Sequence, residues 1–217
     1  MYISIIIPTY NSEDYIERSI NSVLDQNYEK YELLVSDDGS NDNTKKILEK
    51  YKFFFEKKNI SYQLIFNEHL GPGNARNQAI KRSNYDWIAF LDSDDTWMEN
   101  KLKIVSDTIL SNPDCNCIIH NEIYINKKKN EIKYEYTNMF DNSELIFNQL
   151  YEKNFLSPSS MCIKKKLLED NKLFDIHLPN AQDYDLWLKI GNNFNIIKVK
   201  RFLTKYYFRS DNISSKP

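Results

Sequence analysis

Cysteine is scarce in this chain, and three residues, an odd number, exclude a disulfide framework. Cys115 and Cys117 with His120 lack an evident fourth zinc ligand, so the thiols read as buried side chains of a strand. No apolar run reaches the roughly 18 residues of a membrane span, and the N-terminus enters a strand with no secretory signal before it. A cytoplasmic protein is expected. Neither sign of charge dominates, with 31 acidic against 29 basic side chains and a formal net charge of -2, which argues against a nucleic-acid partner. The runs Lys127-Lys128-Lys129 and Lys164-Lys165-Lys166 read as solvated surface. Also missing is any glycine-rich phosphate loop of the Rossmann or P-loop kind, which disfavours a kinase or a dinucleotide dehydrogenase.

What is present fits one large domain of 217 residues, 41% hydrophobic, able to bury about 70% of its unfolded surface without a metal or disulfide. The first half alternates strands and helices, the pattern of a mostly parallel sheet covered on both faces. Strands are expected at Ile3–Ile7, Tyr31–Ser36, Tyr62–Phe66 and Trp87–Leu91. The helices between them begin at an N-cap Ser12, run from Thr44 to Tyr51, and follow Gly71-Pro72-Gly73 to Ile80. Beyond Asp95 the rhythm becomes mixed. Helices are expected at Glu99–Leu110, Ser143–Leu150, Lys164–Asp170 and Asp183–Ile190, and strands at Cys117–Ile125, Ile132–Tyr136, Asn195–Val199 and Phe202–Phe208. Residues 1–95 would form a nucleotide-binding half and 96–217 an acceptor-side half of a single catalytic domain, ending in a polar tail at Ser214–Pro217.

The most telling stretch is Asp92-Ser93-Asp94-Asp95, directly after the apolar run Trp87-Ile88-Ala89-Phe90-Leu91. Carboxylates emerging together from a strand end repel by about 4 kcal/mol per pair at 4 Å and an effective dielectric near 20. A divalent cation turns that cost into binding, and oxygen-only ligands suit magnesium or manganese shared with phosphate oxygens. The plainer alternative is a solvated acidic turn in which Asp95 or Thr96 caps the next helix.

Ligands of open parallel sheets bind beyond the carboxyl ends of the strands, and the other polar clusters fall there too. The first strand ends in Pro8-Thr9-Tyr10-Asn11 and the second in Asp37-Asp38-Gly39-Ser40. A tyrosine ring supports a base, and a carboxylate accepts its N–H. An Asx turn with helix capping explains Asp37 and Asp38 equally well. Arg76, one turn into its helix, could reach a diphosphate or the acidic cluster. Asp183 sits at the start of the helix in Gln182-Asp183-Tyr184-Asp185-Leu186-Trp187, where an acid also serves the helix dipole.

Together Ser4-Ile5-Ile6-Ile7-Pro8-Thr9-Tyr10-Asn11, Asp37-Asp38-Gly39-Ser40, Gly73-Asn74-Ala75-Arg76-Asn77, Phe90-Leu91-Asp92-Ser93-Asp94-Asp95 and Gln182-Asp183-Tyr184-Asp185-Leu186-Trp187 resemble the family-2 inverting nucleotide-sugar glycosyltransferases over nearly the whole chain. The resemblance implies an α/β, GT-A (Rossmann-like) fold, with a mostly parallel central sheet, helices on both faces and a small mixed acceptor-side sheet. It implies that Pro8, Tyr10 and Asp38 contact the nucleobase, that Asp37 and Arg76 support that pocket, and that Thr9 and Ser93 complete the donor set. Asp92 would face the ribose or the metal, Asp94 would ligate Mn2+ or Mg2+, and Asp183 would be the general base.

Two departures from the family pattern stand out. Gln182 replaces the commoner glutamate beside the base, and Arg209 occupies a place that often holds a metal-adjacent histidine. A guanidinium cannot ligate a metal, so Arg209 would hold phosphate oxygens instead. The family reading further implies a UDP-sugar donor, transfer of a hexosyl or N-acetylhexosaminyl group, and a glycan or lipid-linked acceptor. An abundance of Asn, Lys and Ile suggests an AT-rich bacterial genome. The expected setting is then surface polysaccharide synthesis at the inner face of the membrane, with peripheral membrane association. A nucleotidyltransferase is the rival enzyme, but its basic glycine-rich loop is absent after the first strand. A non-catalytic nucleotide-sugar binder is the other rival, and Asp183 counts against it.

Overall fold

The structure is a computed structural model describing residues 1–141 and 143–209, so the expected tail at Ser214–Pro217 lies outside the described residues. Its front half runs β1 (Ile3–Thr9), α1 (Ile16–Leu24), β2 (Tyr31–Asp37), α2 (Thr44–Lys50), α3 (Lys52–Lys57), β3 (Ser61–Phe66), α4 (Pro72–Arg82) and β4 (Trp87–Phe90). The back half continues with β5 (Thr96–Trp97), α5 (Lys101–Ser111), β6 (Cys117–Ile125), β7 (Glu131–Tyr134), α6 (Ile146–Glu152), β8 (Met161–Lys164), α7 (Lys165–Asp170), α8 (Gln182–Ile190) and β9 (Ile196–Tyr207). The strands form one sheet in the order β3-β2-β1-β4-β8-β6-β9-β5, with β7 paired to β6. β3, β2, β1 and β4 are mutually parallel, whereas β8 runs antiparallel to both β4 and β6. The parallel half and the mixed half are therefore joined through β8.

Every residue of β1, β2 and β4 is buried, because helices cover both faces of this part of the sheet. Alternation sorts the side chains. Ile5, Ile7, Leu33, Val35 and Ala89 face α1, α2, α3 and α5, whereas Ile6, Leu34, Ile88 and Phe90 face α4, α6, α7 and α8. Burying each such aliphatic side chain is worth about 1.5–3 kcal/mol, so the two cores hold the strand ends, and the loops on them, in register.

Several local expectations are corrected. Ser12 does not cap α1; its carbonyl accepts the Tyr15 and Ile16 amides and the helix begins four residues later. The helix expected from Thr44 to Tyr51 divides at Tyr51 into α2 and α3. Thr96 enters the short strand β5 against β9 rather than capping a helix. The two expected C-terminal strands are one, and its register against β6 shifts at His120 to Glu122. The second lysine run is not simply solvated, since Lys165 donates to the Ser83 carbonyl at 2.8 Å. The three thiols are buried and free.

At the sheet end remote from the acidic loops, Glu32 is fully buried. Its carboxylate accepts Ser4 Oγ at 2.6 Å, the Asn84 amide at 2.6 Å and Asn84 Nδ2 at 2.7 Å, tying β2 to β1 and to the α4–β4 connection. Hydrogen bonds to a charged group contribute more than neutral ones, and the donors left behind have no water to turn to. Glu32→Ala should cost on the order of 3 kcal/mol in urea unfolding. The isosteric Glu32→Gln should cost less, and a loss below about 1 kcal/mol for the alanine variant would contradict this account.

Candidate active site

The strand β4 ends in a tight turn closed by the Asp95 amide donating to the Asp92 carbonyl at 3.0 Å. This turn separates the three carboxylates. Asp92 Oδ1 receives Arg76 Nη2 at 2.6 Å, and Asp94 Oδ2 receives Arg209 Nη2 at 3.0 Å. Arg18, on α1, donates to the Asp94 carbonyl at 2.6 Å and lies 3.6 Å from the centre of the Tyr207 ring. Burial raises the Asp94 carboxyl above the ordinary range and Asp92 adds to that, while Arg209 and Arg18 oppose it. Asp95 points inward and is 1% exposed, with Oδ1 lacking a hydrogen-bond partner. Its carboxyl is pushed well up by burial first, then by Asp94, Asp92 and Glu122. The carboxylates therefore do not emerge together. Asp92 and Asp94 remain the pair suited to a cation.

No group of three or more metal-ligating side chains is assembled among the described residues. Two carboxylates fit an ion that completes its shell with water and phosphate oxygens, as magnesium and manganese do beside nucleotides. Their arginine partners show that each already draws a positive charge.

On the β1 and β2 side, Tyr10 is exposed, and its ring stacks on His69 with centroids 4.1 Å apart. Pro8 and Thr9 are buried within β1. Asp37 is fully buried and is used up in the turn, accepting the Ser40 amide at 3.1 Å and Ser40 Oγ. The Asx-turn reading holds there. Asp38 is also turned inward. Its carboxylate accepts the Leu70 amide at 3.0 Å and the Gly71 amide at 2.9 Å, holding the loop that opens α4, and His69 Nδ1, hydrogen-bonded to the Asp38 carbonyl at 3.1 Å, stands 2.7 Å from Oδ2. Gly39 makes this approach feasible, since at φ +80 a side chain would be strained and its Cβ would stand 3.1 Å from the His69 nitrogen. Ser93 Oγ lies 3.0 Å from Ser12 Oγ, linking the acidic turn to the loop after β1.

Asp183 lies in the first turn of α8 and lines a cavity of about 230 Å³ together with Asp92, Asp95, Tyr136, Ser157 and Tyr206. Burial raises its carboxyl above the ordinary range, and the nearby Arg76 charge works against that rise. Asp185 is spent on Lys189 at 2.6 Å. Gln182 donates to the Leu178 carbonyl at 2.8 Å and packs where a Gly73 Cβ would stand 3.3 Å from its Cγ. The amide thus fastens the approach to α8, and Gly73 lets α4 come close to it.

The far wall of this cavity is fixed from below by groups that carry no sequence signature. Ser159 Oγ accepts the Asp92 amide at 3.1 Å, and its carbonyl receives Trp97, Lys101 and Thr204. Ser157 and Tyr136 donate to the buried Glu122, whose carboxyl is pushed up to about 7 by burial. Arg18, His69 and Ser159 escape sequence reasoning because their hydrogen-bond partners lie 31 to 76 positions away, and Glu122 because its partners Tyr136 and Ser157, 14 and 35 positions on, lie in other elements. Arg209 lies on the Asp94 carboxylate, 4.1 Å from the Tyr15 ring centre.

Residues 4–171 match the family described as Glycosyl transferase family 2. The chain is 35% identical over 230 residues to the UDP-Glc:alpha-D-GlcNAc-diphosphoundecaprenol beta-1,3-glucosyltransferase WfgD of Escherichia coli, covering 98% of this chain and 79% of that one. It is 32% identical to the poly(ribitol-phosphate) beta-N-acetylglucosaminyltransferase TarS of Staphylococcus aureus, covering 95% of this chain but 35% of that protein. A crystal structure of TarS residues 1-349 with UDP-GlcNAc superposes with a TM-score of 0.81 at 28% identity, over 100% of this chain and 61% of that one. With a family match across most of its length and a GT-A fold of curled mixed sheet between helices, the chain belongs to glycosyltransferase family 2.

Proposed function

We propose that this chain, acting as one catalytic unit, transfers a sugar from a UDP-sugar to a hydroxyl of a glycan or lipid-linked acceptor with inversion, in bacterial surface polysaccharide synthesis. The observation that carries the reading is the shared cavity. Asp183 and Asp92 line one space, with Arg76 paired to Asp92 and its charge acting on Asp183. One relative is named for glucosyl transfer from UDP-Glc to GlcNAc-diphosphoundecaprenol and another for N-acetylglucosaminyl transfer to poly(ribitol-phosphate), which supports the donor class.

In this reading Tyr10 and Asp38 receive the nucleobase, with Pro8, Thr9 and Asp37 shaping the pocket from behind. Asp92 and Ser93 flank the ribose and diphosphate. Asp94, together with Asp92, would hold a divalent cation, Mn2+ or Mg2+, which when bound neutralises the diphosphate leaving group. Arg76 and Arg209 lie close enough to the same carboxylates to share that charge. Asp183 takes the proton from the acceptor hydroxyl as its oxygen bonds to the anomeric carbon, and the bond from that carbon to the UDP oxygen breaks on the opposite face. No helix among the described residues is long and apolar enough to cross a membrane. A lipid-linked acceptor would be met by peripheral association at the inner membrane face.

Asp183→Asn keeps the shape of the side chain but cannot accept a proton, so turnover should fall about 10²–10⁴-fold while UDP affinity stays nearly constant. Calorimetric titration beside a UDP-release assay checks this, and near-normal turnover would remove Asp183 from the mechanism. Because the base must be ionised and its carboxyl is raised, kcat/KM should decline on acidification at a pH above the ordinary aspartate value of about 3.9.

The metal assignment is tested separately. Treatment with EDTA should abolish turnover that Mn2+ restores, and Asp94→Ala should resist restoration. Wild-type rates in both preparations would rule the cation out.

A further inference from the structure

His69 is absent from the functional scheme so far, yet it occupies the heart of the proposed base pocket. Its ring stacks on Tyr10 with centroids 4.1 Å apart and an interplanar angle of 18°. Its Nδ1 is hydrogen-bonded to the Asp38 carbonyl at 3.1 Å and stands 2.7 Å from Oδ2, so the imidazole lies against a carboxylate with 3% side-chain exposure. A flat heterocycle lying on the tyrosine face and an N–H on the aspartate are the two contacts that a pyrimidine base would make at this place. Both are already taken.

From this coincidence we propose that His69 is a resident competitor for the nucleobase, an internal ring that fills the base subsite until UDP displaces it. The proposal rests on the reading that Tyr10 and Asp38 hold the base. A ring spacing of 4.1 Å leaves no room for a second ring between them, so the base cannot bind on that face of Tyr10 without His69 moving.

The movement falls on the side chain alone. The loop backbone on either side is held, through the Leu70 and Gly71 amides on Asp38 and the close packing of Gly39 on the His69 nitrogen. The imidazole itself is 57% exposed, so rotation about its side-chain bonds carries it into solvent. Once it leaves, Asp38 has an acceptor position open and Tyr10 a bare face. The residue thereby sets donor affinity without touching the reacting atoms, and it keeps an aromatic ring and a buried carboxylate satisfied while the pocket is empty.

The test compares UDP and inorganic pyrophosphate, each titrated calorimetrically in the presence of Mn2+, against wild type, His69→Ala, His69→Asn and Tyr10→Ala. Removing a stacked competitor should tighten UDP binding about threefold to tenfold in His69→Ala, with a smaller gain in His69→Asn, whose amide still reaches Asp38. Pyrophosphate lacks a base and should bind all four proteins alike. On UDP addition the His69 imidazole resonance of wild type should shift in a side-chain NMR spectrum, as the ring leaves Tyr10. Weaker or unchanged UDP binding in His69→Ala would overturn the proposal, as would an equal gain for pyrophosphate. If wild type bound UDP and Tyr10→Ala bound it equally well, the base pocket itself would be misplaced, and the proposal would fall with it.

Discussion

Repulsion among Asp92, Asp94 and Asp95 is the constraint around which the rest of this molecule is arranged. Three carboxyl groups in one turn are costly in a partly buried site, and the chain offsets that cost in three different ways. Asp92 is paired with Arg76 from α4, and Asp94 with Arg209 beyond β9. Asp95 is turned into the interior, where burial favours its protonated form. Each solution draws in a different element, so α1, α4, the Ser157–Ser160 segment and the C-terminal end of β9 all converge on one turn.

Much of this was legible from the residues because parallel strands covered on both faces announce themselves. Ile5 to Ile7 and Leu33 to Val35 are continuous apolar runs that no exposed segment would carry, and the polar residues after them had to sit at the ligand-binding edge. The acidic run after β4 was conspicuous for the same reason. Asp183 was visible through the family resemblance of its motif, since an acid at a helix start also serves the dipole, and its meeting with Asp92 in one cavity is a tertiary fact.

Two short strands, β8 and β5, escaped notice, and β9 was read as two. β8 offers only Met161-Cys162-Ile163 before a lysine run that looks helical, yet it is the strand that joins the two halves of the sheet. β5 is two residues long. β9 contains Lys200 and Arg201 where the register shifts, which imitates a turn. The site contacts that went unseen, Arg18 on the Asp94 carbonyl and Ser159 on the Asp92 amide, join a side chain to a distant backbone atom. Such bonds place no demand on residue type at the backbone partner, so no pattern marks them.

The central claim is that Asp92 and Asp94 form a cation and diphosphate site whose charge is balanced by arginines when the site stands alone. A crystal structure of the chain with UDP and Mn2+, phased on the anomalous signal of manganese, addresses it most directly. The account predicts one manganese peak joining the Asp94 carboxylate to the diphosphate, with the Asp183 carboxyl facing the donor's sugar position across the cavity. Manganese bound away from Asp92 and Asp94, or UDP seated elsewhere while Arg209 still covers Asp94, would contradict it.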